Sequence, residues 1–65
     1  MNDIPTYYVE AEELTLDFYG TAMHDHNGYA IIINGKLNKD NQERARLYLL
    51  AQVEKHQLRW RYQIG

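Results

Sequence analysis

The chain has 65 residues and a net charge of −2, and it contains neither cysteine nor serine. A chain this short makes one small domain, residues 1–65, that buries only about 60% of the surface its unfolded form exposes. The two missing residue types exclude disulfide staples, thiolate metal sites and the common serine and cysteine nucleophiles, leaving a metal or self-association as the routes to extra stability.

Apolar residues make up 45% of the chain and aromatics 12%, a composition that folds rather than stays disordered. The opening MNDIPTYY has neither the basic start nor the apolar stretch of a signal peptide. The longest aliphatic run, Ala30 to Ile33, is far short of the roughly 20 residues that span a bilayer. The expectation is a soluble, cytoplasmic protein with no membrane association.

Along the chain, IPTYYVE (4–10) is rich in strand formers, and Pro5 suits the start of a strand or an edge. EAEEL fits a loop or a single helical turn. LTLDFYG (14–20) alternates, with Leu14, Leu16 and Phe18 on one face and Thr15, Asp17 and Tyr19 on the other, which predicts a half-buried strand. Asn27-Gly28 then sits between two potential strands, the signature of a type I′ hairpin with positive φ at both central residues. It pairs residues 21–26 with 29–34, placing His26 opposite Tyr29 and His24 opposite Ile31. Asn34-Gly35 closes the second of these strands and turns the chain.

Residues 39–61 lack Gly and Pro and are full of helix formers. Asn38 and Asp40 both suit the N-cap, Asp40 with Glu43 could form a capping box, and Arg59 and Arg61 suit the negative end of the dipole. The predicted fold is α+β: a small antiparallel sheet of about three strands, including the hairpin, packed on one long C-terminal helix.

At about 100° per residue, Leu49, Val53 and Trp60 cluster on one side of this helix. Leu47, Ala51 and Leu58 cluster on another, with Leu50 between. A surface helix packing on one sheet needs a single apolar stripe. Two stripes point to a second surface, and Leu47, Leu50, Ala51, Leu58 and Trp60 are the candidate interface residues of a homodimer or of a complex with another protein. A helix cradled by a curved sheet, with Arg46 and Arg61 extending to solvent, is the alternative.

Charge is split along the chain. Residues 1–35 hold six acids and no Lys or Arg, whereas residues 36–65 hold all seven bases against three acids. The halves can complement each other within a chain or between subunits, or the basic half can meet an acidic partner. For nucleic acid, Arg44, Lys55 and Arg59 share a helix face with Tyr48, a thin footprint on a net-acidic chain. For metal, His24 and His26 lie two apart on a predicted strand and His56 is the one further histidine, a weak basis for a three-histidine site. The threonines have no activating context, Glu12-Glu13 reads as a solvated pair, and no glycine-rich phosphate loop is present. The residues therefore point away from catalysis and imply no cofactor.

The segment AIIINGKLNKDNQERARLYLLAQVEKH, residues 30–56, resembles the strand-loop-helix of ImmA/IrrE-type metallopeptidases. In that family an aliphatic strand ends in Asn, and a zinc helix follows whose motif is preceded by Leu-Ala. Aligning that pair on Leu50-Ala51 puts the first zinc histidine at Gln52, the catalytic glutamate at Val53 and the second histidine at His56. Only His56 is retained, and Glu54 lies about 200° around the helix axis from it. The resemblance implies a minimal relative without catalysis, associated with phage or prophage as members of that family often are.

Overall fold

A computed structural model describes the backbone of residues 4–64 and the side chains of residues 4–55. Three strands, β1 (Thr6–Val9), β2 (Gly20–Asp25) and β3 (Gly28–Asn34), precede one helix, α1 (Lys39–Ile64). The α+β architecture and the C-terminal helix are as the sequence predicts. The sheet, however, is mixed rather than antiparallel: its order is β1-β3-β2, with β1 parallel to β3 and β2 antiparallel to it.

The centre of the sheet goes to β3 because its run of three isoleucines can bury side chains on both faces, the pattern of a central strand. Ile31 and Ile33 are fully buried against α1, and Ile32 is half-buried on the other face. With Ala45 they form the core, flanked by Ile4, Leu49 and Leu50, while Val53 and Leu37 are also buried. Burying each such isoleucine contributes about 1.5–3 kcal/mol. Gly20, which opens β2, leaves no room for a side chain. A Cβ there would lie 2.5 Å from the Ile32 carbonyl oxygen and 3.1 Å from Leu49 Cδ1, so glycine is required by space.

Residues 14–19 are not a strand. Leu14 N–H donates to Ala11 O at 3.1 Å and Phe18 N–H to Thr15 O at 3.2 Å, closing two successive turns, and Leu16 is 62% exposed. The topology explains why. Since β1 and β2 lie on opposite sides of β3, residues 10–19 must cross the C-terminal end of β3, and a straight strand cannot make that crossing.

Asn34 stands at that end and holds the crossing in place. Its side chain is fully buried; Nδ2 donates to Thr15 O at 3.0 Å and to Phe18 O at 2.8 Å, and Oδ1 accepts from Lys36 N–H at 3.0 Å. Its main-chain N–H donates to Tyr19 O, and Gly35 N–H donates to Val9 O. Lys36 Nζ donates to Glu12 O and Leu14 O. The Asn34-Gly35-Lys36 corner thus satisfies carbonyls that a crossing loop would otherwise leave without partners.

The hairpin forms between the predicted strands but in another register. His24 pairs with Tyr29 and Asp25 with Gly28, so the loop is His26-Asn27. Among the described residues only Gly28 has positive φ, at 122°, which rules out a type I′ turn with Asn27 at a left-handed position. Instead the Asp25 carboxylate accepts the Asn27 N–H at 2.9 Å. Asp at the first position and Gly at the fourth is the chemistry of a type I turn.

At the helix start, Asn38 is the cap: its Oδ1 accepts from Asn41 N–H at 2.8 Å and its carbonyl from Gln42 N–H at 2.9 Å. The Gln42 side chain reaches back to the carbonyls of Gly35 and Leu37. Asp40 lies in the first turn, where its charge favours the dipole, but the capping-box role considered for it with Glu43 is not used. Glu43 binds Arg46 instead.

Candidate interaction surface

Helix α1 lies over the sheet with Ala45 and Leu49 packed with Ile31 and Ile33, and Val53 on the same side of the helix is buried, which makes the Leu49/Val53 stripe the inward one. Leu50, expected at an interface, is half-buried and packs on the same cluster. The other stripe faces outward: Leu47 is 53% exposed and Ala51 is exposed. Leu58 and Trp60, the remaining expected interface residues, have side chains outside the described set.

Charged residues border the exposed stripe on both sides. Glu43 and Glu54 flank it on one side, Arg44 and Lys55 on the other, and all four are exposed. Glu43 and Arg46 form an i,i+3 pair, with Arg46 Nε donating to Oε1 at 3.2 Å and Nη2 donating to Oε2. The hydrogen bond from Arg46, aided by its charge, holds the Glu43 carboxyl below the usual carboxylate range, and the same bond raises Arg46.

A second uncovered surface, which the sequence reading missed, is the face of the sheet turned away from α1. Strand register puts Tyr7, Val9, Ile32 and Met23 together there, since Tyr7 pairs with Ile32 and Met23 lies opposite Ala30. Tyr7 is 54% and Met23 57% exposed. The signal was in β1 itself: TYYV is apolar at Tyr7, Tyr8 and Val9, too evenly for a strand with one wet face.

The two described histidines, His24 and His26, do not share a strand face. His24 sits on β2 and stacks on its cross-strand partner Tyr29, with ring centroids 4.2 Å apart and planes 10° from parallel. His26 occupies the turn, so the expected shared strand face is lost to the register. The His56 side chain lies outside the described residues. Among the described residues no three His, Asp or Glu side chains are placed to hold a metal ion.

The candidate nucleic-acid rank is partly assembled. Arg44 and Lys55 are exposed on the helix with Tyr48, itself 64% exposed, and Arg44 joins Tyr19, Gly20, Ala45, Tyr48 and Leu49 in a shallow cleft between α1 and β2. Arg59 has its side chain outside the described set. Of the positions aligned with the metallopeptidase zinc helix, Val53 is 1% exposed and Gln52 half-buried. Position 53 is therefore spent on the core.

Among the described residues no helix is long and apolar enough to cross a membrane. No family model, no curated protein and no solved structure matches the chain.

Proposed function

We propose that the protein is a small, non-enzymatic interaction module that works as a homodimer in the cytoplasm. The observation that carries this reading is the balance of apolar surface. Among the described residues eight large hydrophobics are exposed (Tyr7, Tyr8, Val9, Leu16, Tyr19, Met23, Leu47 and Tyr48), against five buried hydrophobics. Scattered exposed apolar residues are ordinary, but contiguous ones on a small domain mark a surface that meets a partner. Leu47 and Ala51 on α1 form the self-association surface, and the open sheet face is left to bind another protein. The resemblance of residues 30–56 to the ImmA/IrrE segment supports a phage or prophage setting, in which a former zinc helix serves packing and contact.

Sedimentation equilibrium at tens of micromolar protein tests the reading. A dimer that becomes monomeric on Leu47→Lys supports it, whereas a strict monomer refutes it. The second reading, a nucleic-acid-binding regulator, is favoured by the exposed Arg44, Lys55 and Tyr48 sharing a face. It requires binding to DNA or RNA that weakens steeply with salt and is lost on Arg44→Ala with Lys55→Ala.

A further inference from the structure

We infer that the second copy docks with its helix parallel to the first, about a two-fold axis running along α1. The inference rests on the self-association proposed above and adds the arrangement of the two chains. At about 100° per residue, Leu47 and Ala51 lie within about 40° of each other. Relative to their midline, Glu43 and Glu54 fall about 40–60° to one side, and Arg44 and Lys55 about 40–60° to the other. The surface is therefore a narrow apolar stripe with an acidic border and a basic border, and all six residues are exposed.

Two-fold symmetry allows two ways for such a stripe to meet itself. With the axis parallel to the helices, each acidic border faces the basic border of the other copy. Glu43 and Arg44 are sequence neighbours, as are Glu54 and Lys55, so with about 1.5 Å of rise between neighbours the opposed charges meet at nearly the same height. With the axis perpendicular to the helices, acid faces acid and base faces base along the whole contact. Parallel docking makes four opposed-sign contacts against one like-charge contact, between the two exposed Asp40 carboxylates on the midline of the stripe, so the charge pattern as a whole selects it over the antiparallel arrangement. The exposed apolar part of the stripe among the described residues is narrow, Leu47 and Ala51, so the association depends on these borders.

The test uses the full chain with reversed borders. Variant one carries Glu43→Lys with Glu54→Lys, and variant two carries Arg44→Glu with Lys55→Glu. Glu54→Lys alone is a further variant that leaves the Glu43–Arg46 pair intact, and circular dichroism checks that each folds. Each reversed variant should self-associate at least about tenfold more weakly than the parent, and an equimolar mixture of the first two should regain the parent's affinity. Because the chain has no cysteine, Asp40→Cys places a unique thiol near the start of α1. Parallel docking brings the two thiols side by side, so mild oxidation yields a covalent dimer; antiparallel docking separates them by about 27 Å if centred near Leu49.

A parent that dimerises, reversed variants that do not, a restored mixture and rapid cross-linking support the arrangement. A dimer indifferent to border reversal overturns it while leaving self-association standing. A mixture that binds more tightly than the parent, without cross-linking at position 40, shows antiparallel docking and also overturns it. A monomeric parent overturns both readings.

Discussion

Replacing Asn34 should damage this fold more than replacing any polar residue on its surface. The side chain is fully buried and makes three hydrogen bonds, two donated to Thr15 O and Phe18 O and one accepted from Lys36 N–H. Each such bond contributes about 1 kcal/mol net, and a buried group left without its partner costs about 1–3 kcal/mol. Asn34→Ala should therefore destabilise by roughly 3 kcal/mol, a large share of the ~3–10 kcal/mol expected for a chain of this length. At about 4–8 °C per kcal/mol for small domains, the melting temperature should fall by about 12–24 °C. Asn34→Asp separates hydrogen bonding from packing, because it keeps the shape but turns a carboxylate toward two carbonyl oxygens. Burial and those dipoles raise the folded-state pKa of that carboxyl. A raised group contributes stability that is present below its unfolded pKa and lost as pH rises, so the Asp variant should approach the parent in acid and fall away toward neutrality. Thermal melts from pH 3.5 to 7.5 measure both effects. If Asn34→Ala melts within 3 °C of the parent, or if the Asp variant shows no extra pH dependence, Asn34 does not hold the crossing loop.

Gly20→Ala should destabilise by about 1–3 kcal/mol by thermal melt, since the new Cβ would meet the Ile32 carbonyl oxygen, which is backbone and cannot swing aside; a neutral result would mean that the β2–β3 backbone gives way at little cost. Asn38→Ala should cost about 0.5–2 kcal/mol by removing the cap on Asn41 N–H, and Asn38→Asp should restore most of it. Asp40→Ala, outside the cap, should have a smaller effect, and the reverse order would place the helix start two residues later. The Glu43 carboxyl is held below its ordinary value of 4.5 by Arg46, so the pair's contribution is present above that value and lost as pH falls through the lowered one. The difference in melting temperature between the parent and Glu43→Gln should then shrink below about pH 4.5, and a difference that persists in acid would mean the charge of Glu43 is not its source.

Local patterns and long-range ones were not equally legible in the sequence. The helix was readable because its evidence is contained within the helix: an unbroken run of helix formers behind Asn38. The hairpin was readable in existence but not in register. Asn27-Gly28 signals two different turns, and Asp25 decides between them by accepting the Asn27 N–H. The partner of β1 was not readable, because adjacency in sequence favours a neighbouring strand, whereas Ile31, Ile32 and Ile33 compete more strongly for the centre. Once β3 takes that place, the alternation of Leu14, Leu16 and Phe18 has no sheet to join, and Leu16 is left in solvent. On the candidate surface, the two helix stripes were visible as periodicity. Which stripe was core depended on β3, so it could not be told from α1 alone.

That dependence bears on how such a small chain can be stable. One helix covers one face of a three-stranded sheet, and the five buried hydrophobics are all that this geometry encloses among the described residues. Adding apolar residues to α1 cannot enlarge the core, because the sheet-facing side of the helix is already occupied by Ala45, Leu49 and Val53. Further burial has to come from surfaces the fold leaves open, namely the outward stripe of α1 and the far face of the sheet. The same geometry makes a zinc helix and a packing helix mutually exclusive at position 53. A side chain only 1% exposed cannot present a carboxylate to solvent or substrate, and Val53→Glu would bury a charge in a very small core. Building a metal motif into α1 at this position would therefore first require α1 to turn about its axis and give up the stripe that holds it to the sheet.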